Sequence, residues 1–228
     1  MDLNFRPSGI KQCHRVKSMT SLVVLGAGSM AVEVLEIAEL SGEFEVIGFV
    51  VNSGDAPAEL EGRPVYRSSA FPLGPGDCRL VGGIVSTRRR AFVEELAAQG
   101  YEFATVIHPS AQVSRRARVG AGCVIHPGVI VASNTTIEDH VLINRGALIG
   151  HDNRIEPFTT IGPGANLAGA LTVGPGAYLG VGCVVRDHLT VGPGAVVAAG
   201  AVVVKDVAAH TLCAGVPAKV LQTGVDGL

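Results

Sequence analysis

A chain of 228 residues with 17% charged residues and a net charge of −2 has room for one or two domains, and it carries no basic field to hold nucleic acid or an anionic membrane. No apolar run is long enough to span a bilayer, and the N-terminus lacks the apolar core of a signal peptide, so a cytoplasmic protein is expected. The five cysteines are odd in number and scattered; they read as reduced packing residues rather than a disulfide framework.

Residues 1–20 are polar and aperiodic and read as an extension without fixed structure. From Ser21 the pattern changes, and residues 21–108 read as a small Rossmann-like α/β domain. Leu22 to Leu25 is a short apolar strand, followed by Gly26-Ala27-Gly28-Ser29-Met30 and by a helix with Ala31, Val34, Leu35 and Ala38 on one face. Glu45 to Val51 is a second strand. This order leaves free N–H groups at the helix start, suited to a phosphate. A dinucleotide reader would place an acid after the second strand, where Val51 and Asn52 stand. The turn therefore suits a nucleotide or nucleotide-sugar phosphate better than a nicotinamide cofactor, or it serves only helix-on-sheet packing, with Met30 tucked beneath it. A third strand is predicted over Arg79–Ile84, a helix over Thr87–Gln99 capped by Thr87 and stopped by Gly100, and a fourth strand over Phe103–Ile107. The Arg88-Arg89-Arg90 run reads as a solvated helix start.

From Ala111 to Asp206 the chain divides into sixteen hexads without an insertion, and the third residue of each is Val, Ile or Leu. The first residue is mostly small or β-branched, with Asn153, Leu171 and Leu189 as exceptions. A period of six is that of a parallel β-helix, in which one hexad forms one face and three faces form a coil. Gly, Asn, Asp and Pro turn the corners. Residues eighteen apart then stack about 4.8 Å from one another, and the column stands on the order of 25 Å tall. One such ladder is Val113, Val131, Ile149, Leu167, Val185 and Val203. The β-helix is assigned to 109–206 and a C-terminal cap and tail to 207–228.

Corner side chains point outward, so His126, His140 and His188 read as solvated. His151 differs because Asp152 follows it: an imidazole beside a carboxylate can take a proton while the acid steadies the charge that forms. A zinc site would need a closely spaced histidine pair, and none occurs, so no metal is expected.

Several stretches together resemble the hexapeptide-repeat sugar acyltransferases, the family of sialic acid O-acetyltransferase and of N-acetyltransferases acting on nucleotide-linked amino-sugars. They are the early Gly-turn, Val106-Ile107-His108-Pro109-Ser110-Ala111, Asn144 through His151-Asp152, Gly162-Pro163-Gly164-Ala165, and the closing Gly215-Val216-Pro217-Ala218-Lys219. The resemblance covers Ser21 to Leu221. It implies that the β-helix is left-handed, that acetyl-CoA is the co-substrate and that the working unit is a homotrimer with its clefts between prisms. It further implies that His151 is the general base and Asp152 its partner, that Asn144 helps hold the acceptor, and that the Gly169 N–H meets the oxyanion. Thr160, Val181, Ala199 and Lys219 fall at the coenzyme, and Gly28, Ser29, Met30 and Asn52 on the acceptor side. Relatives carry a second histidine where Thr160 stands, and a histidine in the Gly-turn where Met30 stands. An amino group of a nucleotide-linked sugar is the leading acceptor. A sugar hydroxyl, or a scaffold that binds without turnover, remains the alternative.

Overall fold

The computed structural model describes residues 19–228, so the extension read over residues 1–20 falls almost wholly outside the described residues. The first strand, β1, starts at Thr20 and ends at Leu25; α1 is Ser29–Ser41 and β2 is Phe44–Val51. A short hairpin follows, β3 Glu59–Leu60 and β4 Arg63–Arg67, then β5 Arg79–Gly82 and α2 Arg89–Ala98. The five strands form one sheet in the order β3-β4-β2-β1-β5, parallel except for the hairpin.

Two details depart from the sequence reading, each for a local reason. The β3–β4 hairpin was not anticipated, because two residues of strand on either side of Glu61-Gly62 carry no alternating pattern; its turn shows itself only in the left-handed φ of 47° at Glu61 and 70° at Gly62. The strand expected over Phe103–Ile107 does not extend the α/β sheet. Phe103 makes a single bridge to Leu80, and Val106–Ile107 instead pairs with Val124–Ile125 in the prism. The prism thus begins before the junction read at Pro109.

The prism is a left-handed parallel β-helix of two-residue strands. Its first face carries the ladder Val113, Val131, Ile149, Leu167, Val185 and Val203, each step joining residues eighteen apart. The second face carries Val119, Ile137, Ile155, Val173 and Val191. The third runs from Ile107 through Ile125, Ile143, Ile161, Leu179 and Val197 to Cys213. It continues into Lys219–Thr223, which turns back antiparallel and closes the column. These aliphatic residues and the small ones beside them, Cys123 and Cys183 included, form one continuous buried core.

Only the third face is covered on its outer side. Val106, Val124 and Leu142 point out of the prism there, and α1 packs on them with the same apolar face that it lays on the α/β sheet. Burying such side chains is worth about 1.5–3 kcal/mol each, so α1 binds the two domains into one body. On the first face the outward residues Ile130, Leu148 and Val184 are left 42%, 40% and 39% exposed.

The seam is also polar. Arg89, expected to be solvated with its neighbours, is 4% exposed. Its guanidinium donates to Thr160 Oγ1 at 2.7 Å and to the carbonyls of His140, Phe158 and Thr159 at 2.8, 3.2 and 3.1 Å. The helical period explains the difference: Arg88 and Arg90 flank the face that α2 turns to the prism, and Arg89 lies on it. His140 is likewise not a free corner, since its ring stacks on Phe158 at 4.9 Å and meets the edge of Phe103. His126 is 1% exposed, with Nδ1 3.4 Å from Glu33 of α1. Both corners are covered by the α/β domain, which the hexad pattern alone does not reveal. His188 is exposed, as a free corner should be.

Candidate active site

The corner between the first and second faces holds His151 and Asp152. Leu148–Ile149 ends a first-face strand, Gly150-His151-Asp152 makes the turn, and Arg154–Ile155 opens the second face. Gly150 is needed for close approach, because a Cβ there would meet the Ala168 carbonyl of the next coil at 2.5 Å. Asp152 takes a left-handed φ of 56°, which Asp tolerates better than most residues. That turn leaves the two side chains outside, 65% and 51% exposed.

His151 Nδ1 lies 2.7 Å from Asp152 Oδ2. Asp152 Oδ1 accepts from Asn134 Nδ2 at 3.1 Å, one coil below. The hydrogen bond from His151, and then that from Asn134, hold the Asp152 carboxyl below its ordinary range. An ionised carboxylate only accepts, so Nδ1 carries the proton, and Nε2 has no hydrogen-bond partner among the described residues. The ring lies against the next coil: a Cβ on Gly169 would come within 2.7 Å of His151 Cε1 and 2.8 Å of Nε2. Only glycine leaves room for the imidazole in that position. The Gly169 N–H donates to no acceptor among the described residues, whereas its neighbour Ala170 donates to the His151 carbonyl at 2.9 Å. An imidazole and an unpaired N–H donor thus stand on stacked turns of one corner.

The other predicted residues divide by location. Asn144 lies on the corner between the third and first faces, away from His151; it is 5% exposed and its Oδ1 accepts from the Arg145 backbone at 2.8 Å. Val181 and Ala199 occupy that same corner higher up, both exposed. The first face therefore has His151 along one edge and Val181 and Ala199 along the other. Lys219 is exposed in the closing strand. Thr160 does not reach the surface: it is fully buried, bonded by Arg89, and its hydroxyl donates to the Val85 carbonyl at 3.0 Å. A position facing outward on the third face is covered by α2 here, so Thr160 has no surface to offer a coenzyme.

On the α/β domain, Gly28 caps α1 with an open backbone, and Ser29 is exposed beside it. The Ala31 and Val32 N–H groups bond back to the Gly28 carbonyl at 2.9 and 3.3 Å, which leaves those of Ser29 and Met30 with no carbonyl one turn back. Met30 is 9% exposed and packs beneath the loop. Gly28 and Asn52 line a cleft of about 340 Å³ with Ser53, Asp55 and Ile84. The acid sought directly after the second strand is absent there, yet Asp55 reaches the same cleft from three residues further on. Among residues not singled out by sequence, Asn134 touches the site; the signal was available, since it stands one eighteen-residue coil before Asp152. No cluster of His, Cys, Asp and Glu suited to a metal occurs among the described residues, nor a helix long and apolar enough to cross a membrane.

No protein-family model and no curated protein sequence matches the chain. Solved structures do. A histidine-to-asparagine mutant of perosamine N-acetyltransferase from Caulobacter crescentus, in complex with CoA and GDP-perosamine, is 32% identical with a TM-score of 0.81, over 90% of this chain and 98% of that one. The acetyltransferase domain of PglB from Neisseria gonorrhoeae FA1090, in complex with acetyl coenzyme A, is 32% identical with a TM-score of 0.83, over 90% and 100%. WeeI from Acinetobacter baumannii AYE is 27% identical with a TM-score of 0.81, over 89% and 100%.

Proposed function

The chain belongs to the hexapeptide-repeat sugar acetyltransferases, and we propose that it transfers the acetyl group of acetyl-CoA to an amino group of a nucleotide-linked sugar, with His151 as general base. The observation that carries this reading is the corner itself: an imidazole oriented by a carboxylate, its second nitrogen without a partner, pressed against a glycine whose N–H is unpaired. The relatives solved with CoA and GDP-perosamine support the choice of a nucleotide-linked acceptor and of nitrogen over a hydroxyl.

The acceptor amine attacks the thioester carbonyl carbon. His151 Nε2 takes the proton that the nitrogen sheds, and the Asp152 carboxylate stabilises the imidazolium that results. The oxygen of the tetrahedral intermediate receives the Gly169 N–H, a donor already in place and needing no rearrangement. As the carbon–sulfur bond breaks, the departing thiolate recovers the proton from His151. The products are an amide and free CoA thiol.

The same reading makes the protein a homotrimer. Ile130 and Leu148, and Val184 beyond the exposed Asn166, turn apolar side chains outward on the first face, which a second copy would cover. His151 and the pair Val181 and Ala199 border opposite edges of that face. Copies packed along it bring one chain's His151 edge against the next chain's coenzyme edge, where Lys219 of the closing strand also contributes. The α1 N-terminus, with Gly28, Ser29 and Asn52, supplies the acceptor's phosphate site, and Asn144 helps hold the sugar.

The test is release of free thiol from acetyl-CoA in the presence of GDP-perosamine and a panel of amino- and hydroxy-sugars. Wild-type protein is expected to release thiol with an amino-sugar nucleotide, and His151→Ala to lower kcat by about 10²-fold or more, the scale of a lost general base. An unchanged rate in His151→Ala removes it from the mechanism. Acetyl-CoA binding without thiol release on any acceptor would instead indicate a scaffold.

A further inference from the structure

Two side chains buried inside the prism, beneath the His151 corner, break the apolar pattern of the core. Asn153 occupies the first position of its hexad and is 2% exposed. Its Nδ2 donates to the Gly150 carbonyl at 3.1 Å and to the Ala168 carbonyl at 2.9 Å, and its Oδ1 accepts from the Leu171 N–H at 2.7 Å. Gly150 directly precedes His151, Ala168 directly precedes Gly169, and Leu171 closes the turn that Gly169 and Ala170 form. One amide therefore ties together the two corners that carry the imidazole and the unpaired N–H. Thr135, fully buried one coil below, adds a second donor to the Gly150 carbonyl at 2.7 Å and accepts from the Asn153 N–H at 3.2 Å.

The arrangement follows a rule that the prism uses elsewhere. Thr105 donates to the Gly120 carbonyl, fifteen residues on, and accepts from the Cys123 N–H, eighteen residues on. Thr159 donates to the Gly174 carbonyl, fifteen residues on, and to the Glu156 carbonyl, three residues back. A short polar side chain at the first hexad position thus pins a corner from within. Higher in the ladder of Asn153 stand Leu171 and Leu189, so the fold itself accepts an apolar residue at this place. The polar exceptions, Asn153 in the coil of His151 and Thr135 in the coil below it, lie where their bonds reach the His151 and Gly169 turns.

We propose that Asn153, assisted by Thr135, is a positioning residue that sets the separation between the His151 imidazole and the Gly169 N–H. The assignment of a catalytic role to that separation rests on the function proposed above; the mechanical role does not. Asn153 touches no substrate. It acts by holding two carbonyls and one N–H, and through them the backbone of two turns, in a fixed register.

The experiment compares Asn153→Leu with Asn153→Thr in the full chain. Leucine keeps the core filled and removes all three bonds; threonine can make the same bonds that Thr135 and Thr159 make at equivalent places. With acetyl-CoA and GDP-perosamine, Asn153→Leu is expected to lower kcat by about 10-fold or more, the scale of a slight misplacement of reacting groups, while KM for acetyl-CoA stays near the wild-type value. Asn153→Thr is expected to restore kcat. A filler role alone predicts altered melting temperatures with equal kcat in both variants, and that result overturns the proposal. NMR signals of the His151 ring and the Gly169 amide are expected to move in Asn153→Leu and to return in Asn153→Thr, whether or not His151 is the base. Unmoved signals in Asn153→Leu also overturn it. Should Asn153→Leu fail to fold, Thr135→Val removes the second donor on the Gly150 carbonyl while matching threonine in shape. It is then expected to shift the same signals, and their staying in place decides against the proposal.

Discussion

At the residue scale, histidine chemistry in this protein is set by what covers each corner. His151 keeps its ring outside, where Asp152 orients it and Gly169 makes room for it. His126 has the opposite surroundings. Burial is the main cause that lowers its pKa to about 4, and the positive Arg145 and His108 push the same way. The Glu33 carboxylate, 3.4 Å from Nδ1, would favour the protonated ring, but it is itself partly exposed and also pairs with Arg145 at 3.1 Å, so burial prevails. The sign follows from proton uptake. Between about pH 6.5 and about pH 4 the unfolded chain binds a proton at this residue that the folded chain refuses, so stability is whole above that interval and is lost as the pH falls through it. The loss should be on the order of 3 kcal/mol. Urea midpoints measured across that interval should fall steeply in the wild type and less steeply in His126→Gln; equal slopes would show that His126 is not the residue responsible.

At the element scale, what was legible in the sequence is what repeats. The hexad period fixed the strands, the faces and the ladders, and because eighteen residues make a coil it also placed His151, Asp152 and Gly169 on adjacent corners. What was not legible is how a non-repeating element lies on a repeating one. Thr160, His126 and His140 all sit at positions that face outward in a bare prism, and all three are covered by the α/β domain. The Arg88-Arg89-Arg90 run hid its one inward member, because nothing in three identical residues says which of them faces the partner. Arg89 is pushed down to about 10 by burial and stays charged at neutral pH, with no carboxylate paired to it among the described residues. Its compensation is the set of oxygens it bonds. Arg89→Met would leave the His140 and Phe158 carbonyls without their donor in a closed seam, while the Thr159 carbonyl keeps the Leu142 N–H at 3.0 Å, at a cost of about 3 kcal/mol. Equilibrium unfolding of the variant measures this, and a change near zero would mean that the seam relaxes or admits water at no cost.

At the scale of the whole molecule, the proposed site is divided between two edges of one face. The imidazole and the N–H donor lie along one edge of the first face, the exposed Val181 and Ala199 along the other, and a stripe of Ile130, Leu148 and Val184, interrupted by Asn166, lies between them. A stripe of that kind is explained by a neighbour, and a neighbour is what would bring the two edges together. The proposed activity therefore depends on assembly as much as on His151. The most direct measurement is sedimentation combined with thiol release, on the wild type and on Leu148→Asp, which places a charge in the middle of the stripe without touching the corner. The wild type should sediment as three chains with turnover, and Leu148→Asp as a folded single chain without it. A Leu148→Asp monomer that releases thiol at the wild-type rate would contradict the shared site.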